Sequence, residues 1–151
     1  MNVLRTFAVA CVAAWLGIMA FFSFVAAPGV FRAVDRRVAG EAVAALLPGY
    51  YRWGLVLSTL AVVTLLAIAV ASRAGRVRHV TSVVLAGVMV VVMAWALAVT
   101  FPEADAARHA RQDRSFALAH RSAVRLNALV MICAAGVLAL QALTPVDRRG
   151  G

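Results

Sequence analysis

Four long stretches of this chain carry no charged residue, and they constrain the fold more than any other feature. They cover residues 6–31, 53–72, 80–102 and 126–146. A helix rises about 1.5 Å per residue, so ~20 uncharged residues cross the ~30 Å hydrocarbon layer of a membrane. No stretch alternates polar and apolar positions, which excludes the strands of a membrane barrel. The sequence therefore predicts an all-α, integral membrane four-helix bundle, with spans at about 6–31, 53–72, 80–102 and 124–146.

The composition excludes the other common classes of protein. The chain is 64% hydrophobic and 14% charged, whereas a soluble domain is about 45–50% apolar and about 25% charged. A soluble globule and a disordered chain are both incompatible with these values. No linker separates two domains, so residues 1–151 are predicted to form a single membrane domain. The first stretch is longer than the apolar core of a signal peptide, roughly 7–15 residues, and is predicted to remain as a helix.

The fifteen basic residues, all arginine, outnumber six acidic ones and give a net charge of +9. They flank apolar runs, which favours anionic lipid headgroups as partners and argues against nucleic acid. An even number of spans puts both termini on one side, together with a short acid-free loop that holds Arg73, Arg76 and Arg78. The positive-inside count does not decide the orientation, because the other side carries nine arginines spread over longer segments. The compact, basic and acid-free second loop favours cytoplasmic termini, in what we expect to be a bacterial inner membrane. A homo-oligomer or a larger membrane complex is a further expected partner.

The first and third loops have the pattern of helices lying in the membrane interface. Apolar residues recur at helical spacing in residues 31–48, and Pro48 with the following glycine is predicted to end that helix. Thr100 followed by Pro102 and Glu103 is typical of a capped helix start. We therefore expect a helix that begins at Thr100 and continues into the fourth span.

On a continuous helix of about 100° per residue, the fourth segment would carry a polar stripe facing the protein interior. The stripe contains His109, Asp113, Phe116, His120 and Asn127, and a separate face contains Arg111, Arg114, Arg121 and Arg125. Asn127 is a candidate for an interhelical hydrogen bond or for ligand contact. His120 is a candidate proton carrier, haem or metal ligand, or structural hydrogen-bonding group.

Known catalytic and cofactor motifs are missing, so we expect no catalytic residue, no metal site and no cofactor, with haem as the alternative. His109 and Asp113 are four residues apart, but a zinc-type site needs three or four ligands in a tighter motif. Cys11 and Cys133 would lie at different depths on antiparallel helices, which predicts two free buried thiols. No nucleophile elbow, phosphate-binding loop or zinc-peptidase motif occurs. The chain is therefore expected to be non-enzymatic.

Several segments together resemble a known family. They are Trp15-Leu16-Gly17, Phe21-Phe22-Ser23-Phe24-Val25-Ala26-Ala27-Pro28 with Phe31, Ala39-Gly40, Pro48-Gly49-Tyr50-Tyr51, and Phe116, His120 and Asn127. They look like the bacterial domain of unknown function 4149, related to eukaryotic transmembrane protein 205. The resemblance implies a small four-span membrane protein without an assigned reaction. The family pattern has a serine three residues after the histidine, where this chain has Ala123 and places its serine at Ser122.

The first of these segments is also faintly similar to the copper resistance D domain and to the membrane protoporphyrinogen oxidase family. That similarity implies haem or copper as an alternative cofactor. The first three predicted spans contain no histidine, so His120 would be the axial ligand.

The motif segments at the end of the first span and the start of the last span would meet at one membrane face. We therefore predict a polar pocket lined by Trp15, Pro28, Phe31, Tyr50, His120 and Asn127. The predicted function is a non-enzymatic binding, transport-associated or accessory role in the membrane. The alternative is a haem- or metal-binding redox protein that uses His120.

Overall fold

The computed structural model describes residues 2–72, 75–110 and 113–142. Of these, only Val34, Asp35, Ser72, Gly75 and Ala110 lie outside helices. The elements are α1 (Asn2–Phe21), a first π segment (Phe22–Ala26), α2 (Ala27–Ala33), α3 (Arg36–Ala71), α4 (Arg76–Trp95), a second π segment (Ala96–Thr100), α5 (Phe101–His109) and α6 (Asp113–Ala142). The predicted all-α class is confirmed.

Four helical runs are long and apolar enough to cross a membrane. They are Val3–Ala33, Arg36–Ala71, Arg76–His109 and Arg114–Ala142. Each overlaps one of the uncharged stretches over most of its length, which confirms the predicted four-span bundle. The last residues of the predicted fourth span, 143–146, lie outside the described part of the chain.

The helices form a closed ring in which each span touches two others. α1 packs against α3 and α6, and α4 packs against the same two helices. The largest fully buried side chains fill the centre of this ring: Val12, Trp15, Met19, Leu65, Met89, Met93, Val130 and Val137. Cys11 and Cys133 are buried in the same core as free thiols, as predicted.

Each π segment ends two residues before a proline of the sequence. In the first, the N–H of Ala27 bonds the carbonyl of Phe22, and Pro28 follows. In the second, the N–H of Phe101 bonds the carbonyl of Ala96, and Pro102 follows. A proline lacks the N–H that a helix needs and crowds the carbonyl four residues earlier. A wider turn before each proline relieves that crowding, and the helix continues through it.

Two predicted helix boundaries are therefore wrong. No helix begins at Thr100, which lies inside a helical run and makes no capping hydrogen bond through its side chain. Pro48 does not end a helix, because α3 runs through it from Arg36 to Ala71. The packing of α3 against α1 and α4 outweighs the one backbone hydrogen bond that Pro48 removes.

The separate interfacial helices predicted for the first and third loops are not confirmed. Residues 36–52 are the first part of α3, and α5 is the continuation of the third span. The predicted continuity from the third loop into the fourth span is wrong, because the backbone turns at Ala110 and α6 begins at Asp113. His109 therefore belongs to α5, whereas His120 and Asn127 belong to α6. The predicted Arg111 and the side chain of Asp113 lie outside the described residues.

The two ends of the bundle differ in length and charge. α3 has 36 residues, which corresponds to about 54 Å and exceeds the ~30 Å hydrocarbon layer. Its extra length, together with α2, α5 and the start of α6, forms what we call the cavity end. The acidic side chains in the described part of the chain belong to this end, and they are Asp35, Glu41, Glu103 and Asp105. The opposite, termini end comprises the start of α1, the α3–α4 turn and the end of α6.

α1 and α3 make their closest approach where Trp15 meets Gly54. Trp15 is fully buried. A Cβ atom added to Gly54 would lie 2.7 Å from Cη2 and 2.8 Å from Cε2 of the Trp15 indole. Real Cβ atoms do not approach other atoms so closely, so this position requires glycine. Gly54 and Ser58, four residues apart on α3, are both buried, and small residues at this spacing allow helices in membranes to pack closely.

We predict that Gly54→Ala destabilises the fold by about 1–3 kcal/mol, because the rigid indole of Trp15 must move to admit the methyl group. The free energy of unfolding is measured by titrating the protein with sodium dodecyl sulfate in mixed micelles and following circular dichroism. Gly87→Ala is the matched control, since a Cβ at Gly87 meets nothing within 4 Å. Equal stability of the two variants would contradict the packing argument.

Candidate functional site

A cavity of about 590 Å³ opens at the cavity end between three segments of the bundle. They are the first π segment with α2, the first half of α3, and the first half of α6. The lining residues are Phe22, Ser23, Phe24, Ala27, Pro28, Phe31, Val43, Leu47, Tyr50, Tyr51, His120, Ala123, Val124, Asn127, Ala128 and Met131. Most of this surface is aliphatic or aromatic, and the polar groups are few. Small-molecule sites commonly have this volume and this balance.

A chain of hydrogen bonds joins the three segments at one wall of the cavity. The Tyr50 hydroxyl donates to Oδ1 of Asn127 over 2.6 Å. Nδ2 of Asn127 donates to Oγ of Ser23 over 3.0 Å and contacts Sδ of Met131 at 3.9 Å. A polar side chain at this depth needs such partners, because an unpaired amide within an apolar bundle is costly. We call Ser23, Tyr50 and Asn127 the polar triad.

Aromatic rings hold Tyr50 in position. Its ring centroid lies 4.8 Å from that of Trp15 and 4.8 Å from that of Phe22, with interplanar angles of 49° and 31°. Tyr51 packs edge-on against Tyr50 at 5.4 Å. Tilted and edge-on geometries are the favourable ones for aromatic pairs. Trp15 therefore packs against Tyr50 on the side away from the cavity.

The triad lies near the edge of the uncharged layer. On α3, Tyr50 stands two residues before Arg52, and on α6, Asn127 stands two residues after Arg125. Both arginines are exposed and mark the start of the charged surface of the cavity end. Charged side chains avoid the hydrocarbon layer. The cavity therefore lies around the boundary between the uncharged layer and the charged surface of the cavity end.

The rim of the cavity is apolar and open to the outside of the bundle. Phe24, Phe31 and Val124 are 70%, 45% and 55% exposed, respectively. Exposed large apolar side chains on a membrane-spanning surface are solvated by lipid chains rather than by water. These side chains therefore form an apolar rim on the outer surface of the bundle.

His120 lies on α6 at the outer part of the cavity. Its ring stacks on Phe116, one turn earlier, with centroids 6.0 Å apart and an interplanar angle of 17°. His109, on α5, is directed elsewhere and lies 3.6 Å from Asp105. Within the described residues no group of three or more His, Cys, Asp or Glu side chains could hold a metal ion.

A second cavity, of about 400 Å³, lies between α5 and α6. Its lining is Glu103, Ser115, Leu118, Ala119 and Ser122. Three of these are polar, yet no hydrogen bond joins them within the described part of the structure. The larger cavity, with its connected triad, is therefore the candidate site.

The structure brings five of the six sequence-predicted site residues to the larger cavity: Pro28, Phe31, Tyr50, His120 and Asn127. Trp15 does not line it and packs behind Tyr50 instead. Ala123 lines the cavity, whereas the neighbouring Ser122 does not. The sequence prediction missed Ser23 and Met131. Ser23 could have been found, because it is the one hydroxyl between Ala8 and Pro28.

We predict that Tyr50→Phe lowers the free energy of unfolding by about 0.5–1.5 kcal/mol, because it removes the bond to Asn127. Asn127→Ala combined with Tyr50→Phe is expected to cost less than the two single losses added together, since both remove the same bond. The measurement is again detergent titration. Tyr51→Phe is the control, because the Tyr51 hydroxyl makes no hydrogen bond to the described residues. Strict additivity of Tyr50→Phe and Asn127→Ala would disprove the coupling.

Comparison with known proteins yields one match. No curated protein and no solved structure matches the chain significantly. A family model described as "Domain of unknown function (DUF4149)" matches residues 10–113. This range includes Ser23 and Tyr50 of the polar triad and ends before Asn127. With four helices able to cross a membrane and a match over more than half its length, the chain belongs to the DUF4149 family of membrane proteins.

Proposed function

We propose that this protein is a non-enzymatic binding protein of the membrane that holds an amphipathic molecule in its larger cavity. The single observation that supports this most is the polar triad at the wall of an otherwise apolar cavity of about 590 Å³. An apolar pocket with a few convergent polar groups is the usual form of a small-molecule site.

The hydrogen-bonding capacity left on the triad indicates the chemistry of the ligand. Oδ1 of Asn127 accepts one bond, from Tyr50, and an amide oxygen has two lone pairs. Nδ2 has two N–H groups, of which one bonds Ser23 and the other contacts only the weak acceptor of Met131. A hydroxyl, ester or amide group would satisfy this remaining capacity. The ligand is therefore an uncharged hydrogen-bonding group attached to an apolar body.

The route of access supports a ligand that comes from the membrane. The exposed rim of Phe24, Phe31 and Val124 would meet lipid chains. A water-soluble ligand would have to leave water to pass this apolar rim. A ligand dissolved in the membrane would already be in contact with it. Arg121 and Arg125 on α6 are exposed beside the lining residues and have no ion-pair partner in the described part of the chain. Anionic lipid headgroups are suitable partners for them.

The packing of the bundle agrees better with a binding protein than with a channel. Between the cavity and the termini end, the centre of the ring is filled by Val12, Trp15 and Met89, all at most 1% exposed. Four helices enclose little volume beyond their own side chains. A transport-associated or accessory role therefore requires a second copy or a larger membrane complex, and we propose such an assembly as the working context.

We also propose that the protein resides in a bacterial inner membrane with cytoplasmic termini. The connection between α3 and α4 is short, and Arg76 and Arg78 follow it directly, whereas the arginines of the cavity end are spread over longer helical segments. Arginine in short loops favours the cytoplasmic side.

The test is to extract molecules from the protein purified in mild detergent and to identify them by mass spectrometry. The wild type is expected to carry a bound amphiphile in near-stoichiometric amount. Asn127→Ala should reduce this amount by removing the polar anchor, and Ala123→Phe should reduce it by filling the cavity. Thr59→Ala is the control, because Thr59 is exposed on α3 and away from the cavity. Unchanged content in both cavity variants would refute the proposal.

A haem- or metal-binding redox function that uses His120 is the alternative proposal. What favours it is that His120 and Met131, two residue types that serve as axial haem ligands, both line the cavity. If the amphiphile proposal holds, the purified protein should be colourless and free of metal by elemental analysis. A Soret band that disappears in His120→Ala would instead establish the alternative.

A further inference from the structure

The first turn of α4, at the termini end, carries an unusual arrangement of charge. α4 begins with Arg76-Val77-Arg78-His79 and has no acidic residue in its first turn. Its N-cap is Gly75, which adopts a left-handed conformation with φ of 68° and offers no side chain for capping. The start of a helix is the positive end of its dipole, where anions stabilise and cations destabilise. Basic side chains concentrated at this position are therefore expected to bind an anion.

Two of these basic side chains lie together against the N-cap. Nη2 of Arg78 is 2.9 Å, and Nε2 of His79 is 3.8 Å, from the position that a Cβ on Gly75 would occupy. His79 is only 7% exposed, and its Nδ1 has no hydrogen-bond partner. Nε of Arg78 is buried and also unpartnered. Buried polar groups are nearly always paired, so these two atoms are available to bind a ligand.

A third basic side chain of the termini end is connected to α4 through α6. Arg5 of α1 donates from Nη2 to the carbonyl of Gln141 at the end of α6. Nε2 of Gln141 in turn donates to Oγ of Ser82 over 3.0 Å, and Ser82 lies one turn after His79 on α4. These bonds join α1, α4 and α6. The described residues of this end include no acidic side chain that could neutralise the group.

We propose that Arg5, Arg78 and His79, with the first-turn N–H groups of α4, form a binding site for a phosphate group. The N–H groups of a helix's first turn have no partner within the helix, and they bind phosphate readily. Arginine supplies the charged donors for phosphate oxygens. The site lies where the charge-free stretches of α1 and α4 begin, at the depth of lipid headgroups. It is a bundle length away from the larger cavity and independent of the ligand proposed there.

The phosphate could belong to an anionic lipid or be free in solution, and the experiment separates these sources. Native mass spectrometry of the whole chain in detergent gives dissociation constants for phosphatidylglycerol, phosphatidylcholine and inorganic phosphate. A lipid site binds phosphatidylglycerol more tightly than phosphatidylcholine and ignores inorganic phosphate. A free-phosphate site binds inorganic phosphate and does not discriminate between the two lipids.

Two variants test the residues. Arg78→Gln is expected to weaken binding of the preferred phosphate compound by about tenfold, because it removes a charge-assisted hydrogen bond. Val77→Asp puts a carboxylate in the first turn of α4, where it stabilises the helix start and competes with phosphate. Val77 is 83% exposed, so this variant should fold even if Arg78→Gln does not.

Arg37→Gln is the matched control, since it removes one exposed arginine of α3 at the cavity end that already pairs with Glu41. It should bind as the wild type does. The proposal is overturned if Val77→Asp binds as tightly as the wild type, or if Arg37→Gln weakens binding as much as Arg78→Gln. Neither outcome bears on the amphiphile in the larger cavity, because none of these residues lines it.

Discussion

The contact between Trp15 and Gly54 is the one on which the arrangement of the cavity depends. The indole fills the space that any Cβ at Gly54 would need, so α1 and α3 approach closely at this level. One turn earlier on α3, Tyr50 packs against the same indole and is thereby held toward α6. Its hydroxyl then reaches Asn127. The packing of the buried Trp15 ring on Gly54 thus determines where the Tyr50 hydroxyl lies at the wall of the cavity.

The first π segment, which precedes Pro28, forms the other side of the cavity. A π turn is wider than an α turn, so consecutive residues are spread over a smaller angle. Phe22, Ser23 and Phe24 are consecutive and all line the cavity. In a regular α-helix three successive side chains point in widely different directions. The widened turn before Pro28 therefore presents the Ser23 hydroxyl to Asn127 together with the aromatic rings around it.

The two ends of the bundle meet the membrane in different ways. At the cavity end, the helices continue beyond the uncharged layer and enclose an apolar space beside the headgroups. At the termini end, α1 and α4 begin close to that layer, and their first turns carry Arg5, Arg78 and His79. The first arrangement suits the body of an amphiphile, and the second suits a phosphate. An amphiphile taken from the membrane agrees with a chain that is 64% hydrophobic.

The sequence by itself determined the number and approximate position of the spans, because an uncharged stretch of this length has no other stable environment. It also pointed to His120 and Asn127 through the polar stripe of the last segment, and to Tyr50 through the resemblance to a family motif. The tertiary structure alone decided that Ser23 joins them, that Trp15 packs behind them, and that Pro48 and Thr100 lie inside helices. Those outcomes depend on which helix faces which, and on whether packing outweighs a lost backbone bond. Both are properties of contacts between distant segments, which local sequence patterns do not encode.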